Sequence, residues 1–334
     1  MTDETGDHGA MLSETAKRVF AAAPLWQTLS DAGLPWVMTG AEHGGFGGGF
    51  GDAQRVFFEA GAAALDFPIA ETINAAAVLS RSGHSPVGSS LTLAQSCTGK
   101  LDTHGSTFGG TLCCAGADAE RVAALITHDG KPKIAVLALA DAKSCESRAS
   151  LAGEALREFH FDGARAEIVA SVWDADRLFH AMALARACQI AGAISACLEM
   201  TAYYARERQQ FGKPLASFQA IQQQMAVLAE EAAAARAACA SAARAADRCE
   251  ASFEIACAKL RANMAAGQAA SIAHQVHGAI GFTKEYRLQK FTRRLWAWRS
   301  EYGNDRHWAS RIGDRVAQRG ADEFWPGLVA GFAA

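Results

Sequence analysis

Few of the signatures that announce a function are present in this chain. Its nine cysteines, an odd number, form no CxxC pair and keep no Cys/His spacing of a zinc site, so neither a disulfide framework nor a metal knuckle is indicated. Neither sign of charge dominates: a formal net charge of −3 over 334 residues speaks against nucleic acid as the main partner. No apolar run approaches the roughly eighteen uncharged residues of a membrane helix. The N-terminal MTDETGDHGA is acidic and polar, unlike a secretory signal or an Arg-rich transit peptide. The expected setting is the reducing cytoplasm, with thiols serving as small apolar side chains. The Gly-rich stretch HGGFGGGFG, residues 43–51, holds no GxGxxG in any frame and no P-loop lysine. No alternation of strands and helices follows it, so it reads as a flexible surface turn.

What is present is periodicity. Half of the residues are hydrophobic, enough for a sizeable core in one large or two to three small domains. Residues 1–85 read as helical with a Gly-rich interruption. LSETAKRVF and WQTLSDAGL are short amphipathic helices, the second stopped at Gly33 and Pro35. AQRVFFEAGAAALD places Val56, Phe57, Ala60 and Ala64 on one face, and ETINAAAVLSRSG stops at Gly83. Residues 86–168 change character: GTLCCAGA, RVAALITHDG, KIAVLALADA and LREFHFDGA are short, partly β-branched or aromatic, and separated by turn residues. They predict a small antiparallel β domain, with LALADA helical by propensity. Residues 169–334 form a helical bundle. Ser171 and Asp174 have the spacing of a capping box opening a helix to about Gln210, and Ser217 is the expected cap of a second to about Arg248. A third runs from Ser252 to His277, and a fourth from Lys284 to Glu301 with Leu288, Phe291, Leu295 and Trp298 on one face. The fold class is α+β: helices, small sheet, four-helix bundle.

Three segments of the bundle invite chemistry. His274 and His277 lie three apart on a helix, but no further ligand faces them in the sequence, so packed histidines are the better reading. TRRLWAWRSE mixes Arg293, Arg294 and Arg299 with Trp296 and Trp298; the apolar stripe claims Leu295 and Trp298, leaving the arginines as a solvated face or partners of acids. RERQQFGKPLASFQAIQQQMA, residues 206–226, is richer. A helix end with two arginines, a tight Gly turn and a Gln-rich helix start bring guanidinium, amide and free backbone N–H groups to one corner, a plausible place for a diphosphate.

That segment resembles the signature of the acyl-CoA dehydrogenase family, a helix–turn–helix of the form R-x-x-FG followed by Gln. HQVHGAIGFTKEYRLQKFTRR is similar to the family's Q-x-x-GG-x-G-(F/Y) segment, and GAEHGGFGGGFGDAQRVFFEAGAAALDFPIAET to its P-E-x-x-GG-x-G motif and the helix after it. The resemblance implies FAD bound across a subunit interface. Arg208 and Phe211 match residues that contact the dinucleotide, with Gln210 between them. Gln219 matches the residue that reaches the adenosine. Gln275, Gly278 and Ala279 match the loop along the diphosphate, Ala279 replacing the usual second glycine. It also implies an acyl-CoA substrate, a homo- or hetero-oligomer (a dimer of dimers) and an electron-transfer flavoprotein as acceptor.

Two departures accompany it. The family's base is a Glu just before a Gly in the turn after the fourth bundle helix. Counting without gaps puts Tyr302 there, with Glu301 one residue earlier, and the alternative location near Met182 and Ala183 carries no acid. The family's T-E-P-x-x-G-S stretch, which holds the flavin ring, has as its nearest counterpart LTLAQSCTGK, which lacks both the Glu-Pro and the Gly-Ser. The resemblance therefore allows a dehydrogenase with Glu301 as base. It also allows a partner subunit completing the FAD site of a different chain, as in the heteromeric pairs of steroid side-chain breakdown. A helical scaffold without flavin is the third option.

Overall fold

The computed structural model describes residues 4–88, 90–116, 119–248 and 251–330. Helix α1 spans Glu4–Ala21, α2 Trp26–Asp31, α3 Phe50–Ala63 and α4 Ile69–Arg81. The predicted apolar face of α3 is the buried one: Val56, Phe57, Ala60 and Ala64 are all shielded from solvent. Helix α4 is buried along nearly its whole length and stops where expected, with Gly83 in the left-handed region and its N–H on the Ser80 carbonyl. The Gly-rich turn is not the loose loop that its composition predicts. The N–H groups of Gly45, Phe46, Gly47 and Gly48 donate to the carbonyls of Gly40, Trp36, Thr39 and Val37 at 2.7–3.2 Å, so its backbone is stapled to the segment before it.

The middle region is a seven-stranded sheet. Its strands are β1 (Leu91–Leu101), β2 (Thr107–Ala115), β3 (Arg121–His128), β4 (Lys131–Ala138), β5 (Ser144–Arg148), β6 (Leu156–Arg165) and β7 (Glu167–Ala170). They lie in the order β5-β6-β2-β1-β3-β4-β7. The four predicted strands appear as β2, β3, β4 and β6; β1, β5 and β7 are additional. LALADA is neither wholly strand nor α-helix: β4 continues to Ala138, and Leu139–Asp141 is a 3-10 turn. The expectation of a purely antiparallel sheet is corrected too. β2 pairs antiparallel on one edge of β1, and the chain returns to the other edge for β3, so β3 must run parallel to β1 (Leu91↔Arg121 to Leu93↔Ala123). Phe108, Leu112, Val122, Ile126, Leu137, Phe159 and Phe161 form the core beneath it, with Phe108 and Phe161 edge to face at 6.1 Å.

The helical part begins with α5 (Ala175–Glu207), 33 residues and so about 50 Å long. Its most apolar window satisfies the length and hydropathy of a membrane span but is 83% buried within the protein, which accounts for that hydropathy by the core. The capping box is not formed. Asp174 caps the helix by accepting from the Arg177 N–H at 2.8 Å, while Ser171 Oγ turns back to Trp173. Helices α6 (Gln219–Ala246) and α7 (Ser252–His277) follow, then α8 (Leu288–Trp298), α9 (Asp305–Arg319) and α10 (Ala321–Ala330). The predicted fourth helix is thus shorter at both ends, and two helices follow it. Tyr302 and Gly303 take φ of 51° and 96°, which no α-helix accommodates, and Asn304 Oδ1 caps α9 by accepting from the His307 N–H. Its apolar stripe holds: Leu288, Phe291, Leu295 and Trp298 are buried. Arg294, expected either on a solvated face or as a partner of acids, is buried as well, its guanidinium 6.0 Å from the Trp298 ring.

The chain divides into two compact units, Met1–Val56 with Leu65–Met182, and Phe57–Ala64 with Ala183–Ala334. Within the second, the end of α3 crosses α5 at two glycines. A Cβ on Gly61 would stand 2.0 Å from the Gln189 carbonyl oxygen, and one on Gly192 1.9 Å from that of Phe58. Only hydrogen fits at this crossing.

Candidate functional site

The arginine-bearing hairpin is built by two opposed tendencies. Helix α5 ends at Glu207, three residues before the predicted Gln210. The Arg208 N–H still closes a helical bond to the Tyr204 carbonyl, while the Arg208 carbonyl accepts from Leu215 N–H at 2.9 Å. Between them Gln209 pairs with Pro214 and Gln210 with Lys213. At the tip Phe211 and Gly212 take φ of 52° and 79°, the two positive values of a type I′ turn. Glycine meets that demand freely. A phenylalanine there costs on the order of 1–2 kcal/mol, yet its side chain is 92% exposed, set edge to face with Phe218, ring centres 6.2 Å apart. Ser217 is not the cap of α6: its hydroxyl donates to the Pro214 carbonyl within a 3-10 turn, and Phe218 holds the cap position without a side-chain bond. The first amides of α6, starting at Gln219, are therefore uncapped by any side chain. Arg208, Gln210 and Gln219 are all exposed.

The second segment lies at the same end of the bundle. Helix α7 runs antiparallel to α6 in the hairpin that joins them, and its last residue, His277, stacks on Tyr204 of α5, centres 4.5 Å apart and planes 24° from parallel. Gly278 then takes φ 63°, ψ −144°, a combination open in practice to glycine alone, and a Cβ there would meet nothing within 4 Å. Gln275, Gly278 and Ala279 are exposed. The two histidines are packed rather than ligand-forming. His274 Nε2 meets Thr292 Oγ1 at 2.9 Å and its ring stacks on Phe282; His277 meets Ala273 O and Tyr286 Oη. Burial pushes both below the usual histidine range.

Glu301 is elsewhere. Its carboxylate lies 2.8 Å from the guanidinium of Arg186, a side chain only 3% exposed, which also donates to Gln189 Oε1 at 2.6 Å. Beside this pair Lys259 is wholly buried, its ammonium 2.6 Å from Asn263 Oδ1, 3.1 Å from Trp298 O and 3.3 Å from Gly303 O. Burial, and then Arg186, pull that lysine down from 10.5 to about 7, against the opposing pull of Glu301 and Asp305. The Gly303 carbonyl accepts from Asn263 and Trp308 as well. The turn after α8 is a knotted polar cluster, with Tyr302 in a left-handed conformation at its centre. Lys259 precedes His277 by eighteen residues on α7, about 27 Å of helix, so the hairpin and the Glu301 turn are different places. The structure thus gathers the seven residues matched to the dinucleotide and leaves Glu301 apart. Tyr204, Arg186, Lys259 and Asn263 escaped sequence reasoning. The signal for the last two was a polar pair one turn apart within an otherwise alanine-rich buried stripe.

The dinucleotide corner fits its expected ligand in chemistry: a guanidinium, amides, uncapped helix N–H groups and an exposed aromatic. The ring side does not. LTLAQSCTGK is β1, paired to β3 over Leu91–Leu93 and to β2 over Ala94–Leu101, and it offers neither the Glu-Pro nor the Gly-Ser expected of a ring-holding stretch.

Known proteins resemble this chain in sequence over its bundle and in fold over most of its length. Residues 174–317 match the family described as acyl-CoA dehydrogenase, C-terminal domain. The acyl-CoA dehydrogenase IpdE2 of Mycobacterium tuberculosis is 41% identical over 103 residues, 31% of this chain and 31% of that protein. Glutaryl-CoA dehydrogenase of Desulfococcus multivorans is 38% identical over 104 residues, 30% and 27% of the two chains. These matches span under a third of either relative. Among solved structures, a variant of the Tcur3481–Tcur3483 steroid ACAD superposes with a TM-score of 0.84 at 24% identity, over 94% of this chain and 98% of the other. The ChsE4–ChsE5 complex from Mycobacterium tuberculosis gives 0.84 at 22%, over 96% and 99%. The architecture is that of the acyl-CoA dehydrogenase fold. Over its helical bundle, residues 174–317, the chain is similar to the C-terminal domain of the acyl-CoA dehydrogenase family.

Proposed function

We propose that the chain is a subunit of an FAD-dependent acyl-CoA dehydrogenase and that it contributes the corner holding the adenosine diphosphate side of the flavin. Arg208, Gln210, Phe211 and Gln219 supply one wall of that corner, and Gln275, Gly278 and Ala279 the other. The observation that carries this is Phe211, held at φ 52° on a hairpin tip and 92% exposed. Strain and exposed aromatic area are both unfavourable in the isolated chain, and a ligand or partner surface offsets both. Arg208 would hold phosphate oxygens through paired N–H groups, and the uncapped start of α6 would add backbone donors. FAD, when bound, supplies the hydride acceptor for α,β-dehydrogenation of an acyl-CoA thioester.

The base is the point on which two readings divide. A general base must be free to reach the substrate proton. Glu301 has its Oε2 held 2.8 Å from a buried arginine, which ties the carboxylate to the bundle interior, and Tyr302, the residue at the ungapped position, has a phenol too weakly basic for the step. We therefore place the base and the flavin ring on a different chain of a mixed oligomer, in the manner of a two-chain complex such as ChsE4–ChsE5. The runner-up is a self-sufficient enzyme, a homo-oligomer with Glu301 as base. In either case the assembly is a dimer of dimers built on the bundle, working in the cytoplasm and passing electrons to an electron-transfer flavoprotein. The alanine-rich α6 and α7 fit this, since they leave Val227 and Met264 on the surface. The test is Arg208→Ala in the oligomer: loss of a charge-assisted phosphate contact should weaken FAD by about one to two decades without changing the melting temperature of the FAD-free protein. Unchanged FAD affinity would refute the corner.

A further inference from the structure

Between the two walls of the corner stands one buried ring. His277 is 3% exposed. Its Nδ1 lies 2.7 Å from the Ala273 carbonyl, which can only accept, so Nδ1 carries the proton, and Nε2 accepts from the Tyr286 hydroxyl at 3.1 Å. One face of the ring lies on Tyr204, and the Tyr286 ring closes on both, 5.0 Å from His277 and 6.2 Å from Tyr204. Two chain neighbours give this contact its meaning. The Tyr204 carbonyl accepts the N–H of Arg208, and His277 is followed directly by Gly278. The ring stack therefore joins the backbone that presents Arg208 to the backbone that presents Gly278 and Ala279.

We infer that the Tyr204–His277–Tyr286 cluster is a positioning device that fixes the distance between the arginine wall and the glycine wall of the dinucleotide corner. The inference rests on the FAD reading above. It makes His277 a positioning residue and not a contact residue: its two nitrogens are both engaged inside the protein, and it acts on the ligand only through the spacing of groups on α5 and after α7. A diphosphate gripped from two sides demands that spacing, since a misplacement of about 1 Å can cost on the order of 10²-fold. A merely structural histidine would stabilise the bundle and leave the two walls energetically independent.

A double-mutant cycle separates these roles. The dissociation constant of FAD from the assembled oligomer is measured by flavin fluorescence for wild type, Arg208→Ala, His277→Leu and the double variant, with melting temperatures alongside. We expect His277→Leu to weaken FAD by about tenfold or more, and Arg208→Ala to cost much less in the His277→Leu background than in wild type, because a misplaced arginine has less to lose. The same factor in both backgrounds would overturn the positioning role while leaving the corner intact. No effect of Arg208→Ala in wild type would instead refute the corner itself. Should His277→Leu fail to fold, Tyr286→Phe removes a single hydroxyl and must show the same coupling to Arg208; additivity there overturns the inference equally.

Discussion

At the scale of single residues, the chain spends stability where the proposed function needs it. Phe211 is the clearest case. Replacing it with glycine removes the left-handed strain and should raise the unfolding free energy by roughly 1 kcal/mol while lowering FAD retention; urea titration and flavin content measure the two. A variant less stable than wild type would mean that the aromatic packs within its own chain. Lys259 is the second. Its folded value of about 7 lies below the ordinary 10.5, so the unfolded chain binds more protons between those limits. The stability it contributes is full above about 10.5 and is lost as the pH falls through about 7. Urea melts at pH 7 and pH 9.5 should therefore show wild type gaining on Lys259→Met by an amount on the order of a few kcal/mol. A constant difference would mean that the three oxygen acceptors hold the ammonium at its ordinary value. Neither feature was open to inspection in the sequence. Phe211 was visible as a motif residue but not as a strained one. The clamp on Glu301 depends on Arg186, far earlier in the chain, and a partner at such separation leaves no local pattern.

At the scale of elements, legibility followed the strength of the periodic signal. The face of α3, the limits of α7 and the stripe of α8 were written in residues three and four apart, and the structure buries those residues. The strands β1, β5 and β7 were not. β5 is exposed along its length and has no apolar alternation to betray it, while β1 mixes Gln, Ser, Thr and Lys into a central position. Its pairing is imposed by neighbours on both edges and not by its own propensity. The cap residues failed for a related reason: Ser171 and Ser217 found nearer backbone carbonyls, the local competition that hydroxyl side chains always offer. The crossing of α3 on α5 yields a prediction of its own. Gly192→Ala would drive a methyl to 1.9 Å from the Phe58 carbonyl and should destabilise by at least about 1–3 kcal/mol. Gly313→Ala, inside α9 with nothing within 4 Å of the new Cβ, should stabilise by about 0.5–1 kcal/mol. Chemical denaturation of the pair checks the crossing; equal effects would contradict it.

For the whole molecule, the balance of retained and missing parts defines the account. The exposed hairpin, the open glycine at the end of α7 and the uncapped start of α6 suit a dinucleotide, while β1 lacks the Glu-Pro and Gly-Ser of a ring-holding stretch and Glu301 faces a buried arginine. A chain so divided is best served by a second chain that brings the flavin ring and the base. Glu301→Gln in the assembled, flavin-loaded complex tests this most directly, read as turnover per bound flavin so that any loss of folded protein is removed from the comparison. The account predicts that more than about half of the turnover remains, because Glu301 holds Arg186 and takes no proton from substrate. A fall of about 10²- to 10⁴-fold, the range a general base supplies, would contradict it and make Glu301 the catalytic residue of a self-sufficient enzyme.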